Sequence, residues 1–160
     1  MKVRRTKSFV VVLSFLAALS LAGSGDAPAA PLATSVTIPI SGTVDGGPES
    51  VSLSGNLSIV STLVTDALLT TPRERLTIKV VDVSGVGLTS GAKYVATGED
   101  RLQRLLALTD HLDLIFPFYR SSDGPPSARS AMASINLKFD LVTGALTGAT
   151  ATFSSLRLPD

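Results

Sequence analysis

Apolar and polar residues alternate with a period of two through most of the chain that follows residue 34. In residues 35–44, Val36, Ile38 and Ile40 fall on one face of an extended strand, and polar residues fall on the other. The same alternation returns in three further stretches, residues 50–60, 75–83 and 133–141. Because successive side chains of a strand point to opposite faces, this pattern predicts an all-β fold with one apolar sheet face.

Turn-forming sequences separate the alternating runs. Sequences rich in glycine or proline stand at residues 45–48, 89–91, 123–128 and 142–145. Gly42 and Gly55 lie inside alternating runs instead, where glycine permits a bulge or sharp coiling of the strand. The pattern predicts an antiparallel meander of about 7–8 strands, which closes either as a small barrel or as a two-layer sandwich.

One segment departs from the period of two. Leu102, Leu105 and Leu106 stand at helical spacing, and Thr97 is a suitable N-cap with Asp100 three residues later. These residues predict a short helix near residues 98–107, with a further strand as the alternative.

The first 30 residues have the composition of a secretory signal peptide. Basic residues at positions 2–7 precede an apolar run at 9–22, which is shorter than the ~20 residues that span a bilayer. Small residues predict cleavage near residue 22 or near residue 29, and the chain has no cysteine for a lipid anchor. We therefore expect a Sec-type signal and a secreted or periplasmic protein, and the absence of cysteine favours a bacterial source.

The rest of the chain divides into a flexible lead-in at residues 31–34 and a single β domain at residues 35–160. Residues 1–30 carry four of the 14 basic and one of the 13 acidic side chains, which leaves ten basic and twelve acidic ones. This balance gives no electrostatic basis for binding nucleic acid or an anionic membrane. With no Trp and only two Tyr, the chain also lacks the aromatic girdles of a membrane barrel, so we expect no stable membrane insertion after signal cleavage.

The sequence HLDLIFPFYR, residues 111–120, contains the only histidine and alternates throughout. Its inward residues belong to the predicted core, which consists of Leu112, Leu114, Phe116, Phe118, Ile135, Leu137, Phe139 and Phe153. Pro117 cannot donate a backbone hydrogen bond, which places this part of the strand at a sheet edge or a bulge. The residues predicted to contact a ligand or partner are His111, Asp113, Tyr119 and Arg120.

Catalytic and metal sites have little support in the sequence. The nucleophile elbow G-x-S-x-G is absent, so a hydrolase that uses His111 is an unlikely alternative. One histidine without cysteine provides no common zinc ligand set, and no calcium-loop motif is present. We therefore expect no catalytic residue, no metal and no cofactor.

Two functions from different classes remain. The first is an exported, non-catalytic β-domain that acts by surface contact with a protein or a polymer such as a glycan. The alternative is a small β-barrel that carries an apolar ligand in its interior, for which eight strands in about 130 residues is a suitable size. A barrel filled by its own side chains favours the first, and a connected internal void favours the second.

Overall fold

The computed structural model describes residues 33–45, 47–65 and 71–156. The predicted signal peptide, its cleavage sites and residues 31–32 of the lead-in lie outside the described residues. The described chain forms the strands β1 (Ala33–Asp45), β2 (Ser50–Val64), β3 (Arg73–Gly87), β4 (Lys93–Ala96), β5 (Glu99–Leu105), β6 (Thr109–Arg120), β7 (Arg129–Phe139) and β8 (Leu146–Ser155). A single 3-10 turn, Pro125–Ser127, interrupts the connection between β6 and β7.

The predicted all-β fold is confirmed, and the sheet closes as a barrel. The strands follow the order β2-β1-β8-β7-β6-β4-β3, and a pairing between β2 and β3 completes a ring of seven. Neighbouring strands are antiparallel except β1 and β8, which pair in parallel through Ile40↔Ala151 and Ser41↔Thr152. The barrel is therefore mixed, and this parallel pair between its first and last strands is absent from the predicted antiparallel meander.

The predicted helix near residues 98–107 is wrong, because residues 99–105 form β5. This strand pairs with the first half of β3, from Arg73↔Leu105 to Lys79↔Glu99, and lies outside the closed ring. A helix of about ten residues is marginal without packing of its own. Pairing with the exposed edge of β3 satisfies the backbone groups of this polar segment on one side, which outweighs the helical spacing of its leucines.

A glycine in β2 permits a close backbone approach within the barrel wall. The pairing of β2 with β3 shifts register between Ser54 and Asn56, opposite Asp82, which has a φ of 51°. A Cβ atom on Gly55 would lie 2.6 Å from the Val83 Cα. Two residues of β3, Asp82 and Val83, thus lie opposite Gly55, and this bulge reverses the facing of β3, so that Val80 and Val83 both point inward.

Different strand connections lie at the two ends of the barrel. The end at which β1 begins is called the entry end; there β2 joins β3, β5 joins β6, and β7 joins β8. We call the opposite end the cleft end; there β1 joins β2, β3 joins β4, and β6 joins β7.

Side chains of the barrel form one contiguous buried cluster. Of the predicted core, Leu112, Phe116, Phe118, Ile135, Leu137, Phe139 and Phe153 are buried in this cluster, and Leu114 is partly buried against it. Because β5 does not pair with β6, residues 109–115 of β6 have a strand neighbour only on the β7 side, and Leu114 lies along this free edge. Pro117 lies between this free edge and the residues that pair with β4, and its carbonyl accepts a hydrogen bond from Thr97 N.

Candidate functional site

A cleft of about 320 Å³ lies at the cleft end of the barrel. Its polar lining includes Glu49, Tyr94, Tyr119, Arg120, Asp123 and Arg129. The alternation of the strands places these groups at the rim. Arg120 continues the inward face of Phe116 and Phe118, and Arg129 precedes the inward Ala131 of β7. Charged side chains therefore occupy the inward positions where the apolar core ends.

Strand pairing brings the two arginines to the same part of the rim. Tyr94 lies opposite Arg120 in the β4–β6 pair, and Phe118 lies opposite Arg129 in the β6–β7 pair. The rings of Tyr94 and Phe118 are 6.1 Å apart between centroids, at an interplanar angle of 51°. This tilted aromatic pair forms the floor of the cleft, between the core and the charged rim.

Glu49 is bound by the turn that joins β3 to β4. Its carboxylate accepts hydrogen bonds from Ser90 Oγ at 2.6 Å, Ser90 N at 2.9 Å, the Tyr94 hydroxyl at 3.0 Å and Thr89 N at 3.2 Å. These hydrogen bonds, those of Ser90 first, lower the pKa of Glu49 to about 2. Glu49 is thus ionised at neutral pH, with its acceptor capacity used within the protein.

Arg120 and Arg129 are not used in this way. Neither forms an ion pair with a described residue, whereas Arg101 pairs with Glu99 and Arg104 with Asp110. The guanidinium of Arg129 lies against Gly47, in the space that a Cβ atom at position 47 would need. Burial, followed by the hydrogen bond to Glu49, raises the pKa of Tyr94, and the charges of both arginines oppose this effect. Both arginines therefore line the cleft, and their charges act on the Tyr94 hydroxyl.

The structure separates the four predicted contact residues into two groups. Tyr119 and Arg120 line the cleft, whereas His111 and Asp113 lie near the entry end on the outer face. Arg120 lies nine positions further along the extended strand than His111, which corresponds to a distance of about 30 Å. These four residues cannot form a single small-molecule site.

His111 forms an exposed polar cluster on the outer face of β6 and β7. Its Nδ1 lies 2.9 Å from Asn136 Oδ1, and its Nε2 lies 3.3 Å from Asp113 Oδ1. The hydrogen bond with Asn136, followed by the charge of Asp113, raises the pKa of His111. Ser134 Oγ donates to the same Asp113 oxygen at 2.6 Å, so both His111 and Ser134 contact the carboxylate and not each other. A serine without a basic partner is not an activated nucleophile, so this geometry gives the hydrolase alternative no support.

Beside this cluster, a groove of about 650 Å³ crosses the outer face of β6, β7 and β8. Thr109, His111, Asn136, Lys138 and Thr150 line it, and Gly148 forms part of its base. Within the described part of the chain, no group of three or more His, Asp or Glu side chains is arranged to hold a metal ion. The groove therefore provides polar contacts on the outer face of the barrel.

Glu74 is a buried acid near the entry end. It is 1% exposed, accepts a hydrogen bond from Ser61 Oγ through Oε2, and has no partner for Oε1 among the described residues. Arg104 lies opposite Glu74 in the β3–β5 pair, but its guanidinium binds Asp110 at 2.8 Å. Burial raises the pKa of Glu74, because the charged form loses its hydration.

We expect Glu74→Gln to raise the melting temperature at pH 7–8 and to have little effect at pH 4. Burial in the folded state favours the protonated acid, so the full stability is present below the ordinary glutamate pKa of ~4.3 and is lost as the pH rises through the raised pKa. Gln keeps an acceptor for Ser61 and cannot ionise. Thermal melts of both proteins across this pH range measure the difference. A gain of the same size at pH 4 and at pH 8 would contradict a role for ionisation.

Sequence reasoning did not identify Glu49, Glu74, Tyr94 or Arg129. A signal for two of them was present, because extending the inward period beyond the apolar residues reaches Arg129 in β7 and Glu74 in β3. Charged residues at inward positions mark the barrel ends. The role of Glu49 depends on its contact with the turn at residues 89–90, which no local pattern reveals.

Comparison with known proteins provides no relative: no family model, no curated protein and no solved structure matches the chain. No helix in the described ranges is long and apolar enough to span a membrane.

Proposed function

We propose that this barrel is a non-catalytic binding module that contacts a protein partner through the cleft end. The observation that carries the proposal is the convergence of Arg120 and Arg129, neither paired with a described carboxylate, on a cleft with an aromatic floor. Tyrosine and arginine are the residues enriched at the energetic centres of protein interfaces.

The chemistry of the cleft favours a partner that presents a carboxylate. A guanidinium group binds a carboxylate with two parallel hydrogen bonds, and two such groups lining one cleft offer donors from several directions. Glu49 does not compete for the arginines, because its oxygens already accept four hydrogen bonds. Asp123 at the margin of the cleft favours partners with a limited number of negative charges.

The interior supports a contact surface more than a ligand carrier. The inward aromatic residues Phe116, Phe118 and Phe153 are buried in one cluster with the aliphatic side chains of the other strands. An apolar ligand would have to displace this packing, since interiors of this kind are close-packed.

The proposal predicts that a protein co-purifies with the exported form from its own host and depends on the two arginines. In native mass spectrometry, we expect the wild type and Arg101→Ser to retain the partner, and the double variant Arg120→Ser/Arg129→Ser to lose it. Arg101 is the matched control because it is an exposed arginine on β5, away from the cleft. A partner retained by the double variant would contradict the proposal, and a co-purifying apolar small molecule would support the carrier alternative.

A further inference from the structure

The two ends of the barrel differ in the composition of their connections. At the entry end, the described connecting residues are 65, 71–72, 106–108 and 140–145, and four of these 12 residues are leucine or valine. At the cleft end, the described connecting residues are 47–49, 88–92 and 121–128, and Leu88 is the single such residue among 16. The described connections are therefore more apolar at the entry end than at the cleft end.

Several of the apolar side chains at the entry end are exposed. Leu108 and Leu141 are each 54% exposed, and Val142 is 93% exposed. The Phe139 N–H donates to the Leu108 carbonyl at 2.9 Å, which holds the β5–β6 connection beside the β7–β8 turn. We call these three exposed side chains, which lie on two neighbouring connections, the apolar tip. Exposed apolar groups brought close together mark contact with a protein or a membrane.

Basic residues lie on the strands next to the apolar tip, in contrast to the slightly acidic balance of the domain as a whole. Arg73, Arg75 and Lys138 lie on the strands at the entry end, and none forms an ion pair with a described residue. The acidic residue of the tip, Asp140, uses its carboxylate to accept hydrogen bonds from Val142 N at 2.8 Å and Thr143 N at 2.9 Å. An apolar tip within a basic margin suits the headgroup region of a bilayer that contains anionic lipid.

From these observations we infer that the entry end docks peripherally on a lipid bilayer through Leu108, Leu141 and Val142, with the cleft end directed away from the membrane. The contact is shallow, because it involves loop tips and no spanning element. Few apolar side chains take part, so binding is weak and reversible, comparable to that of a single acyl chain. The docking is independent of the partner proposed for the cleft.

An environment-sensitive fluorophore on a single cysteine tests this docking, since the chain has no natural cysteine. The label is placed at Val142→Cys or, as the matched control, at Leu88→Cys, which is 62% exposed at the cleft end. With vesicles of phosphatidylcholine and phosphatidylglycerol, we expect blue-shifted emission that rises at least about twofold at position 142 and stays unchanged at position 88. The exported form of the protein is used, with wild-type folding checked by circular dichroism.

Vesicle flotation provides a second measurement that needs no label. We expect Leu141→Ser/Val142→Ser to reduce the bound fraction about fivefold, and Leu88→Ser to leave it unchanged. No response at position 142, or the same response at both positions, would overturn the inference. An emission shift at position 142 that needs no vesicles and grows with protein concentration would identify a protein contact and would also overturn it.

Discussion

Gly42→Ala is expected to destabilise the protein by roughly 3 kcal/mol or more, because it forces apart the strands that close the barrel. A Cβ atom on Gly42 would collide with the backbone of Phe153 in β8, whose carbonyl carbon would lie 2.7 Å away. Backbone cannot turn aside as a flexible side chain can, so relief requires β1 and β8 to separate. The hydrogen bond from Asp45 N to Ser155 Oγ, 2.7 Å long, would be strained by the same movement.

Gly148→Ala is the matched control for this substitution. Gly148 lies within β8, the strand that Gly42 of β1 approaches, but the atom nearest to a Cβ added at position 148 is the Lys138 Cβ at 4.0 Å. We expect its effect to lie within about 0.5 kcal/mol of zero or to be slightly stabilising. Urea denaturation of both variants measures the contrast. Equal losses would mean that the cost is a general one of alanine in these strands and does not come from the β1–β8 approach.

Phe139→Ala is expected to cost about 3–5 kcal/mol, which is the range for removing a buried aromatic ring. Phe139 is 2% exposed and belongs to the central cluster. Its N–H also donates to Leu108, so the backbone around it is held and can collapse little into the space left by the ring. The residual cavity adds to the lost burial.

Leu114→Ala is expected to cost only about 1–2 kcal/mol, less than for a fully buried leucine, because its side chain is already partly exposed beside the free edge of β6. Ile115→Ala is the surface control from the same strand; Ile115 is 57% exposed, and we expect a change within about 0.5 kcal/mol. Chemical denaturation should therefore rank Phe139 first, Leu114 second and Ile115 last. A different order would show that the facing of β6 differs from that described above.

Much of the fold could be predicted because burial in a barrel wall repeats with the period of the strand. The runs that contain Ile38, Leu57 and Ile135 identify their inward faces from sequence alone, since each inward position needs an apolar residue. Glycine at position 55 permitted a bulge or sharp coiling, and the structure has a bulge in β3 opposite it. What could not be predicted depends on partners distant in sequence, namely the addition of β5 to β3 and the parallel pairing of β1 with β8.

The candidate site shows the same limit. Tyr119 and Arg120 were predicted as contact residues and do line the cleft, but His111 was grouped with them because it is near in sequence. Residues that are near in sequence can lie far apart along an extended strand, because each residue advances the strand by about 3.3 Å. Conversely, Arg129 is nine residues beyond Arg120, yet both reach one rim because the chain reverses at the β6–β7 connection.

The parallel pairing of β1 with β8 also determines when the barrel can close during folding. Its partners, Ile40 and Ala151, are separated by nearly the entire domain, so one edge of β1 stays unpaired until the last strand has emerged. Such distant pairing makes folding slow and leaves an open strand edge exposed meanwhile. A chain threaded through a translocation channel from its N-terminus would thus reach the far side with its barrel still open, and ring closure would coincide with release.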